Sequence, residues 1–260
     1  MTSSQVTWPK KTREYQSHHF DSTMWNDFKF RDGDIIISTY AKSGTTWMQQ
    51  IVSQLLFDGQ ENLPTADMSP WLDMRVPPRE VKLPIMEAQT HRRFIKTHLP
   101  VDAIVFSPKA RYIYIGRDGR DVFMSMWNHW HNMNTEVIDT LNNAPDQAGP
   151  IQPYPGESIN DAFDEWLNRG SFAWEKDGYP FWSHLHHAQS WWDYRHLPNI
   201  LFVHFDDLLR DLVGQMRRIS AYLDIPVNEA IWPQLLHGVS FGEMKVNAQK
   251  MAPGANHGAW

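Results

Sequence analysis

The sequence predicts an α/β fold: a single domain over residues 1–260 with a central parallel β-sheet flanked by helices on both faces. Short β-branched and aromatic runs alternate along the chain with segments whose apolar residues recur at helical spacing, which is typical of such a sheet. A chain of 260 residues can bury a substantial core, and no internal repeat, low-complexity tract or break in composition divides it. We therefore expect one domain.

The first strand and the first helix flank a short turn. The run DIIIST at 34–39 has the β-branched composition of a strand that is buried on both faces, as parallel strands are. From Thr45 onward the apolar residues recur every four positions, which predicts a helix with one buried stripe. The residues of this stripe are Trp47, Ile51 and Leu55.

Two more strands and a second helix follow. RRFIKTH at 92–98 and ARYIYIGR at 110–117 are predicted to be short buried strands. The second of them leads into a helix over 118–130, whose apolar face consists of Val122, Met126 and Trp130. Because the carboxyl ends of parallel strands meet at one edge of a sheet, we expect the polar residues that end these strands to lie together.

The second half of the chain continues the alternation after a long interruption. Residues 131–157 carry Pro, Gly and Asn without sustained periodicity, so we predict a long loop, and loops of this length often act as lids. Two amphipathic helices are predicted next, at 160–170 and 181–195, and the inner stripe of the second consists of Phe181, Leu185, Ala188 and Trp191. A strand at 199–205 and a helix at 211–225 follow, and the apolar face of that helix consists of Met216, Ile219 and Leu223.

Composition and charge exclude several classes of protein. A net charge of -6 provides no global basic field of the kind that nucleic-acid binders use, so any phosphate site must be local. Without cysteine there is no disulfide, thiolate nucleophile or thiolate metal site. No apolar run approaches the roughly 20 residues that cross a bilayer, and the first residues lack the apolar run of a signal peptide. We expect a cytoplasmic enzyme without membrane insertion or nucleic-acid partners.

The turn after the first strand has the residue types of an anion site. In TYAKSGTTW at 39–47, a turn with Gly44 can present backbone N–H groups, Thr45 and Thr46 add hydroxyl donors, and Lys42 adds a positive charge. An ATP-type P-loop places its lysine directly after a second glycine, whereas Lys42 precedes the only glycine, which disfavours a kinase. An ordinary helix cap remains the alternative.

A cation and an imidazole end the next strand. Lys96 and His98 are two residues apart, so their side chains are expected on the same side of the sheet. This pair suits the transfer of an anionic group to an acceptor whose proton must leave. Most of the 13 histidines are expected to be structural, but His98 is placed beside the anion turn.

A third cluster follows the strand at 110–117. Arg117 ends that strand, and Ser125 lies eight residues further on, facing back along the helix. The two could hold a second phosphate through a guanidinium fork and a hydroxyl. The alternative is a surface ion pair of Arg117 with Asp118 or Asp121.

Together these three segments resemble the cytosolic sulfotransferase family. TYAKSGTTW resembles the family's 5'-phosphosulfate loop, KTHLP its catalytic histidine segment, and YIGRDGRDVFMSMWNH its 3'-phosphate segment. SHLHHAQSWWDYR, ILFVHFDDLLRD and HGVSFGEMK also fall in the family's order and spacing, so the resemblance covers nearly the whole chain. The fold it implies has a P-loop-like nucleotide-binding core.

The resemblance implies a reaction and roles for three residues. The donor would be 3'-phosphoadenosine 5'-phosphosulfate (PAPS), and the sulfuryl group would pass to an alcohol, phenol or amine. His98 would accept the acceptor's proton, Lys42 would hydrogen-bond the bridging oxygen and stabilise the departing phosphate, and Lys96 would hold the sulfuryl oxygens. No metal is implied, because positioned cations neutralise the transferring group.

The resemblance also implies the nucleotide contacts. The 5'-phosphate would be bound by backbone and hydroxyl donors of the anion turn, the 3'-phosphate by a guanidinium and a hydroxyl, and adenine between two aromatic rings. The residues concerned are Ser43, Gly44, Thr45 and Thr46 for the 5'-phosphate, Arg117 and Ser125 for the 3'-phosphate, and Trp47 and Phe241 for adenine, with Val239 and Met244 nearby.

The acceptor is predicted to be a small molecule with a hydroxyl group, and an aromatic acceptor is favoured. A phenol, with a pKa near 10, loses its proton to a histidine more readily than an aliphatic alcohol does. The 13 Trp and 12 Met residues suit a flat apolar ligand as well as a packed core. The candidates for this pocket are His129, Trp130, residues 131–157 and residues 71–74, each of them also compatible with a core or surface position.

A homodimer is compatible with the sequence.

At two places the sequence departs from the family. Phe205 stands where the family usually has a tyrosine, which removes one hydroxyl near the adenine. Residues 252–254, Ala-Pro-Gly, stand where the family closes the 3'-phosphate site with Arg-Lys-Gly. Either Lys250 or His257 substitutes for these cations, or the site binds the nucleotide weakly, or the chain is shortened.

The second departure keeps an alternative function open. A protein that had kept the fold and lost turnover would be a non-catalytic nucleotide-binding protein. Against this alternative, Lys42, Lys96 and His98 are all present, and a protein without turnover has no physical need for three such groups at one site.

Overall fold

The strands form one parallel sheet, as predicted. In the computed structural model, which describes residues 6–143 and 148–251, these strands are β1 (Ile35–Thr39), β2 (Phe94–Thr97), β3 (Arg111–Gly116) and β4 (Ile200–His204). Their order across the sheet is β2-β1-β3-β4, and each neighbouring pair is parallel. The carboxyl ends of all four strands therefore share one edge, where the polar segments after β1, β2 and β3 meet.

Helices connect and cover the strands. They are α1 (Met24–Asp27), α2 (Thr45–Leu56), α3 (Thr65–Met68), α4 (Arg79–Ala88), α5 (Gly119–His131), α6 (Thr135–Asn142), α7 (Ile159–Asn168), α8 (His184–Trp192), α9 (Phe205–Arg210), α10 (Leu212–Tyr222), α11 (Trp232–Gly238), α12 (Phe241–Val246) and α13 (Ala248–Met251), with 3-10 turns at Val101–Ala103 and Glu229–Ile231. Within the described ranges, none of these helices is long and apolar enough to cross a membrane.

The two faces of the sheet carry separate cores, because alternate strand residues point to opposite sides. On one face Ile37 and Ile113 pack with apolar residues of α2, α10 and α11. On the other face Ile36 and Tyr112 pack with residues of α5 and α8. All four side chains are fully buried, and burial of each contributes roughly 1.5–3 kcal/mol to folding. The predicted arrangement of helices on both faces is confirmed.

The prediction of an irregular loop over 131–157 was wrong in part, because α6 lies within it. The Asn134 side chain caps this helix by accepting a hydrogen bond from the backbone N–H of Glu136. Ile138 is fully buried and fixes the helix against the rest of the protein. A helix of eight residues is too short to show a sustained period in the sequence. Residues 144–147 of the segment lie outside the described residues.

The predicted inner stripe at 181–195 was wrong at Leu185, which is 63% exposed. The helix begins only at His184, with the Ser183 hydroxyl accepting from the N–H of His186. A helical period counted from Phe181 therefore starts outside the helix and places Leu185 inward, although Phe181 and Trp191 of the predicted stripe are buried. The buried residues of α8 are His187, Ser190 and Trp191.

Candidate active site

The turn between β1 and α2 has the backbone of an anion site. Lys42 and Gly44 both have positive φ, 63° and 101°, which curls the chain ahead of the helix. No side chain caps the first N–H groups of α2, and the buried Ser43 hydroxyl has no hydrogen-bond partner among the described residues. Free donors and the positive end of the helix dipole together favour an anion at this point.

Two constraints make glycine necessary at position 44. Its left-handed φ is strained for any residue with a side chain. A Cβ atom there would also lie 2.8 Å from Cδ2 of Phe205, well inside van der Waals contact. The residue that departs from the family pattern, Phe205, thus packs directly against the anion turn.

Arg117 fixes the turn from the neighbouring strand. Its Nη1 donates a 2.8 Å hydrogen bond to the backbone oxygen of Lys42, and its guanidinium lies 4.4 Å from the ring centre of Phe205. The alternative of a surface ion pair is not supported, because among the described residues neither Asp118 nor Asp121 lies within 4.0 Å of the Arg117 guanidinium, and Asp118 pairs with Arg120 at 2.8 Å. Ser125 is half-buried on the second turn of α5, the helix that follows Arg117.

The imidazole of His98 is held in one tautomer by β1. Its Nδ1 lies 2.9 Å from the backbone oxygen of Thr39 and 3.1 Å from the Thr39 hydroxyl. A carbonyl only accepts hydrogen bonds, so Nδ1 carries the proton and Nε2 keeps its lone pair. Among the described residues, Nε2 has no hydrogen-bond partner. The Thr39 hydroxyl also lies 2.6 Å from that of Thr45, which ties the histidine to the anion turn.

Lys96 and His98 meet on the same tryptophan, which confirms that both point to one side of the sheet. The Lys96 ammonium lies 4.8 Å from the centre of the Trp71 ring, and the His98 ring meets the same indole edge-on at 4.7 Å. Backbone hydrogen bonds on either side of Trp71 fix it beside β2. The N–H of Lys96 donates to the Pro70 oxygen, and the N–H of Leu72 donates to the Lys96 oxygen. The proposed acceptor-pocket segment at 71–74 therefore borders the catalytic candidates.

Burial sets the protonation states of these groups. It lowers the pKa of His98 to about 3, and the charges of Lys96 and Lys42 contribute to that lowering. Burial likewise lowers the pKa of Lys96 to about 8. The pKa of Lys42 is lowered by burial and by the nearby Arg117 guanidinium. At neutral pH the site therefore presents an uncharged imidazole beside ammonium groups.

The predicted adenine-binding rings are in contact with each other. The Trp47 and Phe241 ring centres are 4.6 Å apart at an interplanar angle of 43°. A base stacked between two rings needs them about 7 Å apart, twice the van der Waals separation of about 3.5 Å. The slot predicted from the sequence is therefore closed in this structure. The Trp47 indole N–H donates to the backbone oxygen of the buried Val239 at 2.9 Å, and Met244 packs nearby.

Two of the remaining predictions fall elsewhere. Trp130 is a buried residue that donates from Nε1 to the Pro153 oxygen, so its place is in the core. Lys250 donates a hydrogen bond to Oδ1 of Asn62, which follows the carboxyl end of α2, whereas the anion turn lies at the amino end of that helix. This contact does not support a role for Lys250 as the substitute cation at the 3'-phosphate. Residues 252–254 and His257 lie outside the described residues.

Sequence reasoning missed several residues at the site. Thr39 and Asp73 were overlooked because their roles depend on contacts with His98 and Thr97, which are 59 and 24 residues away. His19 was also missed, although its ring lies 5.7 Å from Trp71 and 5.6 Å from Trp182, the same two indoles that His98 contacts. The one signal for it was the pair of histidines in HHF at 18–20, in a segment without a recognisable period.

The site holds cations and an imidazole rather than a metal-ligand set. In residues 6–143 and 148–251, no group of three or more histidine, aspartate or glutamate side chains is arranged to hold a metal ion. The groups that converge at the edge of the sheet are instead Lys42, Lys96, Arg117 and His98. This arrangement can bind a phosphate-like anion and accept one proton beside it.

Known proteins share this sequence and this fold. The sequence model of the sulfotransferase domain matches residues 32–255. A glycolipid sulfotransferase of Mycobacterium bovis (strain BCG) is 34% identical over 95% of this chain and 80% of its own length. Mouse sulfotransferase 1B1 is 30% identical over 85% of this chain and 68% of its own. The crystal structure of mouse sulfotransferase SULT7A1 complexed with PAP, at 22% identity, has a TM-score of 0.65 over 86% of this chain and 70% of that chain, which indicates the same fold.

Proposed function

The chain belongs to the sulfotransferase family, and on that premise we propose that it transfers a sulfuryl group from PAPS to a hydroxyl of a small acceptor. Membership follows from the family match over residues 32–255 and from 34% identity to a curated relative over most of both chains, so the protein is a sulfotransferase. The identity of the donor, the class of acceptor and the roles of individual residues are the substance of the proposal.

The observation that carries the proposal is the state of His98. Its Nδ1–H is fixed on the Thr39 oxygen, its Nε2 is free to accept a proton, and the charges of Lys42 and Lys96 act on the ring. A general base needs such a lone pair beside the reacting hydroxyl. Cations beside that base stabilise negative charge on the transferring group and on the phosphate that leaves.

The proposed reaction is a single displacement at sulfur. The acceptor oxygen forms a bond to sulfur while the bond from sulfur to the bridging phosphate oxygen breaks, and the acceptor's proton passes to Nε2 of His98. Lys42 hydrogen-bonds the bridging oxygen, and Lys96 holds the sulfuryl oxygens. The products are a sulfate ester and adenosine 3',5'-bisphosphate (PAP), the nucleotide with which mouse SULT7A1 is complexed.

The nucleotide is proposed to lie along the anion turn. Ser43, Gly44, Thr45 and Thr46 bind the 5'-phosphate, since the first N–H groups of α2 have no side-chain cap. Arg117 and Ser125 bind the 3'-phosphate. Adenine lies against Trp47, Phe241, Val239 and Met244, which requires the rings of Trp47 and Phe241 to separate from their 4.6 Å contact.

Two acceptor classes are proposed to bind beside His98. The aromatic surround of Trp71, Trp182 and His19 suits the flat phenol favoured by the sequence. A sugar hydroxyl is the second candidate, because the relative at 34% identity is a glycolipid sulfotransferase and tryptophan rings with a nearby imidazole also suit a sugar. A panel containing both kinds of acceptor decides between them.

The test is transfer of labelled sulfuryl from PAPS to a simple phenol and to a glycolipid. The wild-type protein is expected to form a sulfate ester and PAP, and His98→Ala to lose about 10²- to 10⁴-fold in kcat while keeping its affinity for PAP. The matched control is His196→Ala, an exposed histidine that precedes β4 at the opposite edge of the sheet. No product with any hydroxyl acceptor, or full activity in His98→Ala, would contradict the proposal.

A further inference from the structure

Asp73 is a buried acid that touches the last residue of β2, Thr97, which stands between Lys96 and His98. Its side chain has no exposed surface, and its Oδ2 accepts a 3.1 Å hydrogen bond from the Thr97 hydroxyl. That hydroxyl in turn accepts the N–H of Leu99 at 3.1 Å. Asp73 is thereby attached to the residue between Lys96 and His98, at the point where β2 ends.

The charges around Asp73 are also buried. Lys82, 4% exposed, donates from Nζ to the backbone oxygens of Leu72 and Met74, the residues on either side of Asp73. Lys96 is 5% exposed. Two buried ammonium groups need a negative charge close by, and Asp73 is the fully buried acid that acts on both of them. Asp21, more exposed, also acts on Lys82.

Asp73 acts on the charge of Lys96 through space and does not occupy its N–H donors. Among the described residues, the Lys96 ammonium has no ion pair within 4.0 Å and no hydrogen bond, and it rests on the face of Trp71. The indole N–H of Trp71 faces the Asp73 carboxylate and lowers its pKa. Neither that nitrogen nor Oδ1 of Asp73 makes a hydrogen bond among the described residues. The N–H groups of Lys96 therefore remain available to a bound anion.

We propose that Asp73 is a positioning residue of this enzyme, which keeps the Lys96 ammonium charged and holds the end of β2 in place for catalysis. The inference rests on the proposed role of Lys96 in holding the sulfuryl oxygens. Asp73 itself does not reach the reacting atoms. Its effect passes through space to Lys96 and through the Thr97 hydroxyl to the backbone beside His98.

The protonation states support this role. Burial lowers the pKa of Lys96 to about 8, a lowering that Asp73 opposes and that Lys42 increases. Burial raises the pKa of Asp73 to about 6, and Thr97 and Lys82 oppose that rise. Between these two values both groups are charged. Loss of the Asp73 charge removes an effect that favours the protonated form of Lys96 above neutral pH.

The decisive variant is Asp73→Asn, which keeps an acceptor for Thr97 and removes the charge. We expect the Lys96 ammonium, followed by NMR of lysine-labelled protein and assigned with Lys96→Met, to titrate about one pH unit lower than in the wild type. The alkaline limb of kcat/KM for PAPS is expected to move by the same amount, so that kcat/KM falls roughly fivefold at pH 8.

The matched control is Thr97→Val, which removes the hydrogen bond and raises the pKa of Asp73, but leaves the carboxylate charged through the Lys96 titration near pH 8. In this variant Lys96 should titrate as in the wild type. An unchanged Lys96 pKa in folded Asp73→Asn overturns the inference. If the wild type neither binds PAP nor transfers sulfuryl, the proposed function fails, and the NMR titration still tests the coupling of Asp73 to Lys96.

A second measurement covers the case in which Asp73→Asn does not fold. Coupling between two charges is reciprocal, so removal of the Lys96 charge must raise the pKa of Asp73. NMR of aspartate-labelled Lys96→Met protein should show Asp73 titrating above its wild-type value of about 6. An unchanged Asp73 pKa in that protein also overturns the inference.

Discussion

At the scale of single residues, the chemistry depends on which nitrogen of His98 carries the proton. The Thr39 oxygen fixes it on Nδ1, so Nε2 is the proton acceptor. The sequence identified His98, Lys96 and Lys42 because they stand in short recognisable segments at strand ends. It could not identify Thr39, Asp73 or His19, whose roles arise from partners distant in the chain and not from any local pattern.

The pH dependence of the reaction follows from two of these groups. The pKa of His98 is about 3, so its imidazole is neutral from about pH 5 upward and gives no acid limb between about pH 5 and 7. The pKa of Lys96 is about 8, so its charge is lost as the pH rises through that value. We expect kcat/KM for PAPS to fall above about pH 8, with Lys42 adding to the same limb. A profile that declines from pH 7 downward would argue against this assignment.

A second prediction at this scale concerns Gly44. Gly44→Ala places a Cβ 2.8 Å from Phe205 and forces a side chain into a φ of 101°. We expect a loss of about 2 kcal/mol or more in the free energy of unfolding, together with weaker binding of PAP. The measurement is denaturant unfolding, with Gly156→Ala as control because a Cβ there meets nothing within 4 Å. Equal stability of the two variants would contradict the strain argument.

At the scale of elements, the sheet was predictable and the details of two helical segments were not. Runs such as DIIIST are β-branched and bounded by turn residues, which identifies buried strands in any context. α6 is too short for its period to stand out, and Leu185 was wrongly placed on the inner stripe of α8 because the helix starts three residues later than assumed. In both cases a capping side chain set the boundary, and cap geometry is visible only in the structure.

Phe241 provides the prediction at this scale. It lies at the start of α12, is 56% exposed, and contacts Trp47 at 4.6 Å. We expect Phe241→Ala to weaken PAP binding roughly tenfold through loss of a stacking contact, with little change in the free energy of unfolding. The Trp47 fluorescence should also change when PAP binds, as the rings separate.

The control for that experiment lies on the same helix. Val246→Ala alters a residue that is 81% exposed at the other end of α12, and it should leave PAP affinity unchanged. If Phe241→Ala bound PAP as well as Val246→Ala does, adenine would have to bind elsewhere.

At the scale of the whole molecule, the fold concentrates positive charge on a protein that is negative overall. The net charge is -6, yet Lys42, Lys96 and Arg117, from three different strand ends, converge on one edge of the sheet. The parallel topology brings about this convergence, because it places the segments after β1, β2 and β3 side by side. The sequence predicted a local anion site on these grounds, and the structure has the three cations together.

The most direct test of this account is calorimetric titration of the purified protein with PAP, beside ATP and 5'-AMP. Each phosphate that is held by charge-assisted hydrogen bonds contributes about 1.5–3 kcal/mol, so PAP should bind roughly 10- to 100-fold more tightly than 5'-AMP, which lacks the 3'-phosphate. It should also bind more tightly than ATP, whose phosphate chain does not match two separate anion sites. Equal affinity for all three nucleotides would contradict the claim that this edge of the sheet binds a 3'-phosphoadenosine nucleotide.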